Sequence, residues 1–429
     1  MILTGARRVP VSYHGVGFPA LKILSTLTPD HHASAPPPRR LLIATLLASV
    51  AFGLLAMTIC LPSMPSWAAL FGVGQGSVQL TFSAFVVGFG GAQMFYGPLS
   101  DRHGRRFLLL LGFAVAALGS LACALASSLP LLVAARALQG IGAAAGLVIG
   151  RAMVQDYFTG AERPRIMAYT GMVLGMCPPM ATVIGGQIHA YLGWRFNFVI
   201  MTVVALVLLI TTWKVLPVDQ RKTSLHAHWM LEMWHAYREL VHKPVFLGYA
   251  VILSMCTGSF YVFLAGTPLV LASYGVGPKL VGWFIMVVPL SYIVGNFLVS
   301  RLLHSSTEAT LALAGQSVAC IGVAAALVLA LAGVHSPFAL ALPLTLLGLG
   351  HGLLMPSTLS GTIGVRPALA GAAVAATGLA QQSFGALGGW AVGLLPHDDA
   401  IFMSIIMLVC MTISLGTQLL VTRLRRQAV

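Results

Sequence analysis

From about position 41 to position 421 the chain is a succession of long apolar runs broken by short polar segments. The runs cover about 41–61, 78–96, 107–126, 130–150, 166–190 and 196–216, then about 245–272, 280–300, 309–331, 338–360, 368–392 and 399–421. A helix needs about 20 apolar residues to cross roughly 30 Å of hydrocarbon, and the runs have that length. The pattern predicts twelve transmembrane helices. Between the sixth and seventh, residues 217–244 hold Asp219, Arg221, Lys222, Glu232, Arg238, Glu239 and Lys243. Trp229, Met230, Met233, Trp234 and Tyr237 recur there at near-helical spacing, which predicts a linker with an amphipathic helix lying at the membrane surface. Residues 1–40 are rich in proline, carry five basic residues and lack the apolar core of a signal peptide, so they read as a disordered cytoplasmic tail. Residues 422–429 form a short basic tail around Arg423, Arg425 and Arg426.

Composition agrees with this pattern and narrows the partners. Charged residues make up 8% and hydrophobic residues 58% of the chain, and the mean hydropathy is +0.91. Soluble domains carry about 25% charge, so a soluble fold is excluded. A net charge of +14 would suit nucleic acid, but its placement does not. Of the 24 Lys and Arg, all but Arg136, Arg195 and Lys279 fall in segments assigned to one side of the membrane. This is the positive-inside asymmetry; it places both termini in the cytoplasm and makes anionic inner-leaflet lipids the partner of these charges. Cys60, Cys123, Cys177, Cys256, Cys320 and Cys410 lie in apolar spans without CxxC spacing and read as small buried hydrophobes, not metal ligands. His31-His32, His226 and His228 read as solvated. None of the ten Asp and Glu lies in the middle of a span. Neither a Gly-x4-Gly-Lys loop for ATP nor a Gly-x-Ser-x-Gly elbow is present. The chain therefore reads as a non-enzyme without a cofactor, and any energy it uses comes from an ion gradient.

One charged stretch stands out, Gly97-Pro98-Leu99-Ser100-Asp101-Arg102-His103-Gly104-Arg105-Arg106, between the second and third runs. It predicts a tight cationic turn. The stretch resembles the loop between helices 2 and 3 of the major facilitator superfamily, G-x-x-x-D-R-x-G-R-R, with Gly97, Asp101, Arg102, Gly104, Arg105 and Arg106 matching. The second half keeps only Gly295-Asn296 and Arg301 of this pattern. The resemblance implies an all-α membrane protein of twelve transmembrane helices in two six-helix bundles, 41–216 and 245–421, joined by 217–244. It also implies a cytoplasmic gate. Asp101 would sit against the positive N-terminal end of the eleventh span near Pro367, and Arg102, Arg105 and Arg106 would pair with Asp156 or lipid phosphates.

Inside the spans, polar groups need a cavity or a partner. Arg136 and Gln139 lie in Arg136-Ala137-Leu138-Gln139-Gly140, which is similar to the R-x-x-Q-G of helix 4 in this superfamily; the resemblance assigns that Arg to the cavity and to proton coupling. The fourth run also carries Gly142, Gly146 and Gly150, a stripe for close packing. The fifth contains Gly171, Gly175, Pro178, Pro179, Gly185 and Gly186, which predicts a helix that packs closely and bends. It resembles the superfamily's antiporter motif and implies export by exchange. Gly150-Arg151-Ala152-Met153-Val154-Gln155-Asp156 and Gly193-Trp194-Arg195 resemble the Bcr/CflA drug-resistance branch. That branch carries an Asp near the end of helix 1, followed by Tyr-Leu-Pro; here Thr58 and Cys60 stand at those two places. The acid credited with cation recognition and protonation is missing. His351, the one His placed mid-span, titrates near neutral pH when unperturbed and is expected to substitute for it. Tyr261, Gln381 and Gln382 are the further candidates for the cavity wall.

The resemblance implies a secondary transporter of the bacterial inner membrane, monomeric, exporting small amphiphilic compounds in exchange for protons. A proton-coupled importer or metabolite exporter of the same fold, and a non-transporting membrane sensor, are the alternatives.

Overall fold

The computed structural model of the chain describes residues 39–160, 162–217, 229–302 and 306–427. The predicted N-terminal tail, apart from its last two residues, lies outside them, as do linker residues 218–228 and residues 428–429. The described residues form helices and turns, with no strand among them. The first half comprises α1 (Arg39–Thr58), α2 (Met64–Phe71), α3 (Gln75–His103), α4 (Arg105–Leu125), α5 (Leu129–Tyr157), α6 (Glu162–Leu192) and α7 (Arg195–Val215). A short α8 (Trp229–Val241) follows. The second half comprises α9 (Pro244–Ser273), α10 (Pro278–Leu302), α11 (Glu308–Leu331), α12 (Pro337–Gly364), α13 (Ala370–Leu394) and α14 (Ile401–Gln427).

All twelve predicted spans are present as helices. Eleven stretches are long and apolar enough to cross a membrane, with α1 and α2 counted as one. The 25-residue α13 falls short because Gln381, Gln382 and several glycines dilute its apolar content. Successive turns alternate between two ends. The basic end carries the α3–α4 turn, the α5–α6 turn, α8 and Arg366; the far end carries α2 and the α4–α5 turn.

Three boundaries differ from those read along the sequence, each for a local reason. α1 stops at Thr58 rather than near Leu61, because Pro62 and Pro65 cannot donate to the helix; the chain turns through a short 3-10 segment, Leu61–Ser63, into α2. The predicted cationic turn is mostly helix. α3 runs through Pro98 to His103, and the break is confined to Gly104, whose φ of +97° only glycine adopts readily. α5 continues to Tyr157, so Arg151, expected in the segment beyond the fourth span, lies inside a helix.

In the first half α5 is central and packs on α1, α3 and α4. Its small-residue stripe makes this possible: a Cβ on Gly142 would meet the Ala116 N at 2.3 Å, and one on Gly146 the Ser49 O at 2.2 Å. In the second half α12 packs on α10 and α11, and α9 on α13 and α14. The halves join through two seams, α3 with α13 and α6 with α10. The second long helix of each half thus meets the fifth of the other, as a two-fold relation between repeats requires. α8 is held to the second half. Leu240 is buried with Phe246 and Ala373, and Arg366 Nε lies 2.6 Å from Glu239 Oε1.

Candidate functional site

Between the halves lies a central cavity of about 440 Å³. One wall comes from Leu54 and Met57 of α1 and Leu174, Gly175 and Pro178 of α6; the other comes from α9, α10, α12 and α13. Tyr261, His351, Gln381 and Gln382 all stand on its surface. They form a hydrogen-bonded band. Tyr261 OH donates to Gln382 Oε1 at 2.9 Å, Thr257 Oγ1 donates to Gln381 Oε1 at 3.0 Å, and Gln381 Nε2 donates to the Thr377 O at 3.2 Å. His351 Nε2 lies 3.4 Å from Met411 Sδ on α14. Pro178 and Pro179 have no N–H for the carbonyls of Leu174 and Gly175, so α6 presents acceptors to the same space.

The far end of the cavity is sealed by α6 and α10 running backbone to backbone and by side chains of α3 bonded to the second half. A Cβ on Gly186 would meet the Pro278 O at 2.3 Å, and one on Gly282 the Thr182 O and Val183 N at 2.5 Å. Gly185 backs onto the end of α1, where its Cβ would meet the Ile59 O at 1.8 Å. Gln187 Nε2 donates to the Lys279 O at 3.0 Å, Gln79 Nε2 to the Ala265 O at 3.0 Å and Ser83 Oγ to the Ala386 O at 2.7 Å. Toward the basic end the halves part. There an outer cavity of about 680 Å³ is lined by Gly97 and Asp101 of α3, Arg151 of α5, Tyr237 of α8 and Gly371 and Gly378 of α13. A Cβ on Gly97, Gly171, Gly371 or Gly378 would meet nothing within 4 Å, and Gly175 touches only the Ile293 side chain.

At the basic rim, Arg105 gathers the charges of the first half. Its Nη2 lies 3.0 Å from Asp101 Oδ1, its Nη1 donates to Ser100 Oγ at 3.2 Å, and its Nε pairs with Asp156. The positive φ at Gly104 swings Arg105 back along α3 to reach the acid one turn earlier. Arg106 donates to the Trp213 carbonyl, and Arg102 is exposed. Asp101 faces the start of α13 across the outer cavity and bonds Arg105 instead of that helix end. Each such half-exposed ion pair contributes under about 1 kcal/mol. Asp156→Asn should therefore lower the melting temperature in detergent by no more than about 4 °C, and a larger fall would make the pair part of the folding core.

The remaining candidates sit behind the wall. Arg136 is fully buried. Its Nη1 donates to the Ala56 O at 2.9 Å and to Gln139 Oε1 at 2.5 Å, its Nη2 donates to the Met57 O at 3.3 Å, and its Cζ lies 4.3 Å from the Phe85 ring centre. Gln139 Nε2 donates onward to Ser120 Oγ at 2.8 Å. Arg136 thus caps the broken C-terminus of α1, whose last carbonyls have no amide to meet because the chain turns toward Pro62. Thr58 bonds its own helix at the Leu54 O (2.8 Å), and Cys60 is buried beside it. None of Arg136, Gln139, Thr58 and Cys60 reaches the cavity surface.

Arg151 was not singled out from the sequence, although it lies in a quoted motif. It lines both cavities and is the charged residue of the central one. The signal was available: Arg151 stands five residues before Asp156, about 7.5 Å deeper along the helix.

The sequence profile of the Major Facilitator Superfamily matches residues 41–389. Among curated proteins, an uncharacterized MFS-type transporter of Bacillus subtilis is 31% identical over 382 residues, 86% of this chain and 92% of its own length. Multidrug resistance protein D of Escherichia coli is 29% identical over 349 residues, 80% of this chain and 85% of its own. A bicyclomycin resistance protein homolog of Haemophilus influenzae is 28% identical over 242 residues, 56% of this chain and 61% of its own. Among solved structures, a bacterial homolog of the human lysosomal transporter Spinster, in an inward-facing and unoccupied conformation, superposes with a TM-score of 0.73 at 15% identity, covering 90% of this chain and 97% of that one.

Proposed function

Since the chain belongs to the Major Facilitator Superfamily, we propose that it exports small amphiphilic compounds across the bacterial inner membrane in exchange for protons. The observation that carries this reading is the pair of cavities between the halves, meeting at Arg151, sealed at the far end and parted at the basic end. With the basic end and both termini in the cytoplasm, this conformer is open inward. Rocking about the α3–α13 and α6–α10 seams would seal the basic end and open the far one, moving cargo without a continuous pore. α5 packs on α1, α3 and α4, so the first half moves as one body, and the Asp101–Arg105–Asp156 cluster links α3, α4 and α5 at its rim. The drug-resistance names of the relatives and the antiporter-like α6 support efflux over uptake. The sequence has no ATP-binding loop, which supports an ion gradient as the energy source; the coupling ion in this reading is the proton, with His351, an imidazole on the cavity wall, as the proposed carrier. The protein is read as a monomer whose basic rim meets anionic lipid headgroups.

Everted vesicles from cells making the protein test this. Acidified by respiration and then given one compound at a time from a panel of neutral, cationic and anionic drugs, they should release protons for the transported compound. The release should be lost in His351→Ala. No release with any compound, with protein verified in the membrane, would favour the importer reading or the sensor.

A further inference from the structure

We infer that the central cavity takes an organic anion, a carboxylate on an apolar body, and that Arg151 is the residue that selects it. The inference rests on the transport reading above and names the cargo class for the same cavity.

Four observations lead to it. First, Arg151 is the charged side chain on the central cavity, and no acid accompanies it there. Second, Arg151 makes no ion pair, hydrogen bond or ring contact among the described residues, whereas Arg136 and Arg105 both have named partners. Arg151 is exposed where the cavities meet, so its guanidinium keeps its donors free for a ligand and faces the space through which cargo would pass. Third, it lies at the junction of the central and outer cavities, lining both, so a ligand entering from the basic end passes it to reach the central cavity. Asp101 shares the outer cavity but is already bonded to Arg105, so it does not neutralise Arg151. Fourth, the position that carries an acid in the drug-resistance branch holds Thr58, whose hydroxyl is committed to the Leu54 carbonyl. The buried positive charge of Arg136, next to the cavity-lining Met57, adds to the same sign.

The rest of the wall sets the body of the ligand. Leu54, Met57, Leu174, Phe260, Val288 and Met355 offer apolar and aromatic contact. Gln382 accepts from Tyr261 and has no partner for Nε2 among the described residues, which leaves a second donor facing the cavity. The planar guanidinium fork matches a carboxylate in two parallel hydrogen bonds, which a lysine cannot reproduce.

Three probes that differ only in the head group test the assignment: 4-phenylbutyrate, 4-phenylbutanamide and 4-phenylbutylamine. Binding is measured by titration calorimetry on the full chain in nanodiscs of zwitterionic lipid. The acid should bind about tenfold or more tighter than the amide, and the amine weakest. Arg151→Gln, verified as monodisperse with an unchanged melting temperature, should bring the acid down to the affinity of the amide. Arg151→Lys should keep only part of the preference. Equal binding of acid and amide, tightest binding of the amine, no binding of the acid at millimolar concentration, or an acid preference that survives Arg151→Gln would each overturn the proposal. Proton release from proteoliposomes of the same preparation is read separately. Selective acid binding without it would remove proton exchange and leave the anion site standing.

Discussion

Gly282→Val should hold the far end of the protein open and bring transport to background. The Cβ of residue 282 would lie 2.5 Å from the Thr182 O and the Val183 N, both backbone atoms in a packed helix, so no rotamer change relieves the clash. Overpacking of this kind costs about 1–3 kcal/mol. The cost falls only on the conformer in which α6 and α10 touch, so it shifts a two-state balance by roughly 5- to 150-fold toward the other. Gln187 and Lys279 report on the seal directly, since the amide of one bonds the carbonyl of the other. With Gln187→Cys and Lys279→Cys in a background freed of native cysteines, oxidative crosslinking should be efficient in the parent and strongly reduced by Gly282→Val. Undiminished crosslinking would mean that the far end does not open along this seam. Gly378→Val, on the parted side where a Cβ meets nothing within 4 Å, is the control that should leave the crosslink intact.

Arg136→Ala should unfold the protein more readily rather than merely uncouple it. The substitution strips the donors from the Ala56 carbonyl and from Gln139 Oε1 and leaves the Met57 carbonyl only the weak Cys60 thiol at 4.0 Å. Each buried polar group left unpaired costs about 1–3 kcal/mol, so a net loss of about 3 kcal/mol or more is expected even after the guanidinium itself is removed. Arg136→Lys keeps the charge but lacks the fork that spans two carbonyls and an amide, and it should recover only part of the stability. Scanning fluorimetry in detergent, paired with transport over a range of pH, distinguishes the two roles. A residue acting in proton coupling alone would leave the melting temperature unchanged and flatten only the pH dependence.

The contrast between Arg136 and Arg151 marks how far the sequence is legible. The apolar runs were long and clean enough to give every long helix. The fixed spacing in Gly97–Arg106 marked the basic rim, because a charged turn between two apolar runs has few other meanings. Polar groups in the middle of spans were equally readable: Tyr261, His351, Gln381 and Gln382 stand on the cavity. Arg136 carried the same signal, an ion in an apolar run, but what it answers lies 80 residues earlier, in the broken end of α1. Periodicity along one helix carries no information about carbonyls orphaned on another. Arg151 failed in the opposite way. It sits near a run's end, where positive charge is ordinary, and only the parting of the halves turns that helix face toward a cavity. The seams were half legible: the glycines of α6 predicted close packing, but not that Gly186 meets the other half while Gly185 meets α1.

The weakly apolar α13 has a consequence for how the protein is made. A segment enters the bilayer from the translocation machinery according to its own apolar content, and two adjacent glutamines near the middle of this one weigh against release into lipid. The Gln381 amide nitrogen bonds the Thr377 carbonyl of its own helix, but the two amide oxygens find their donors on α9, and the helix packs on α3, both synthesised long before it. Packing in the assembled bundle thus adds to the span's own partitioning in holding the penultimate helix. Biogenesis of the second half therefore waits on the first, and the cavity's polar wall is completed by one of the last segments to leave the ribosome.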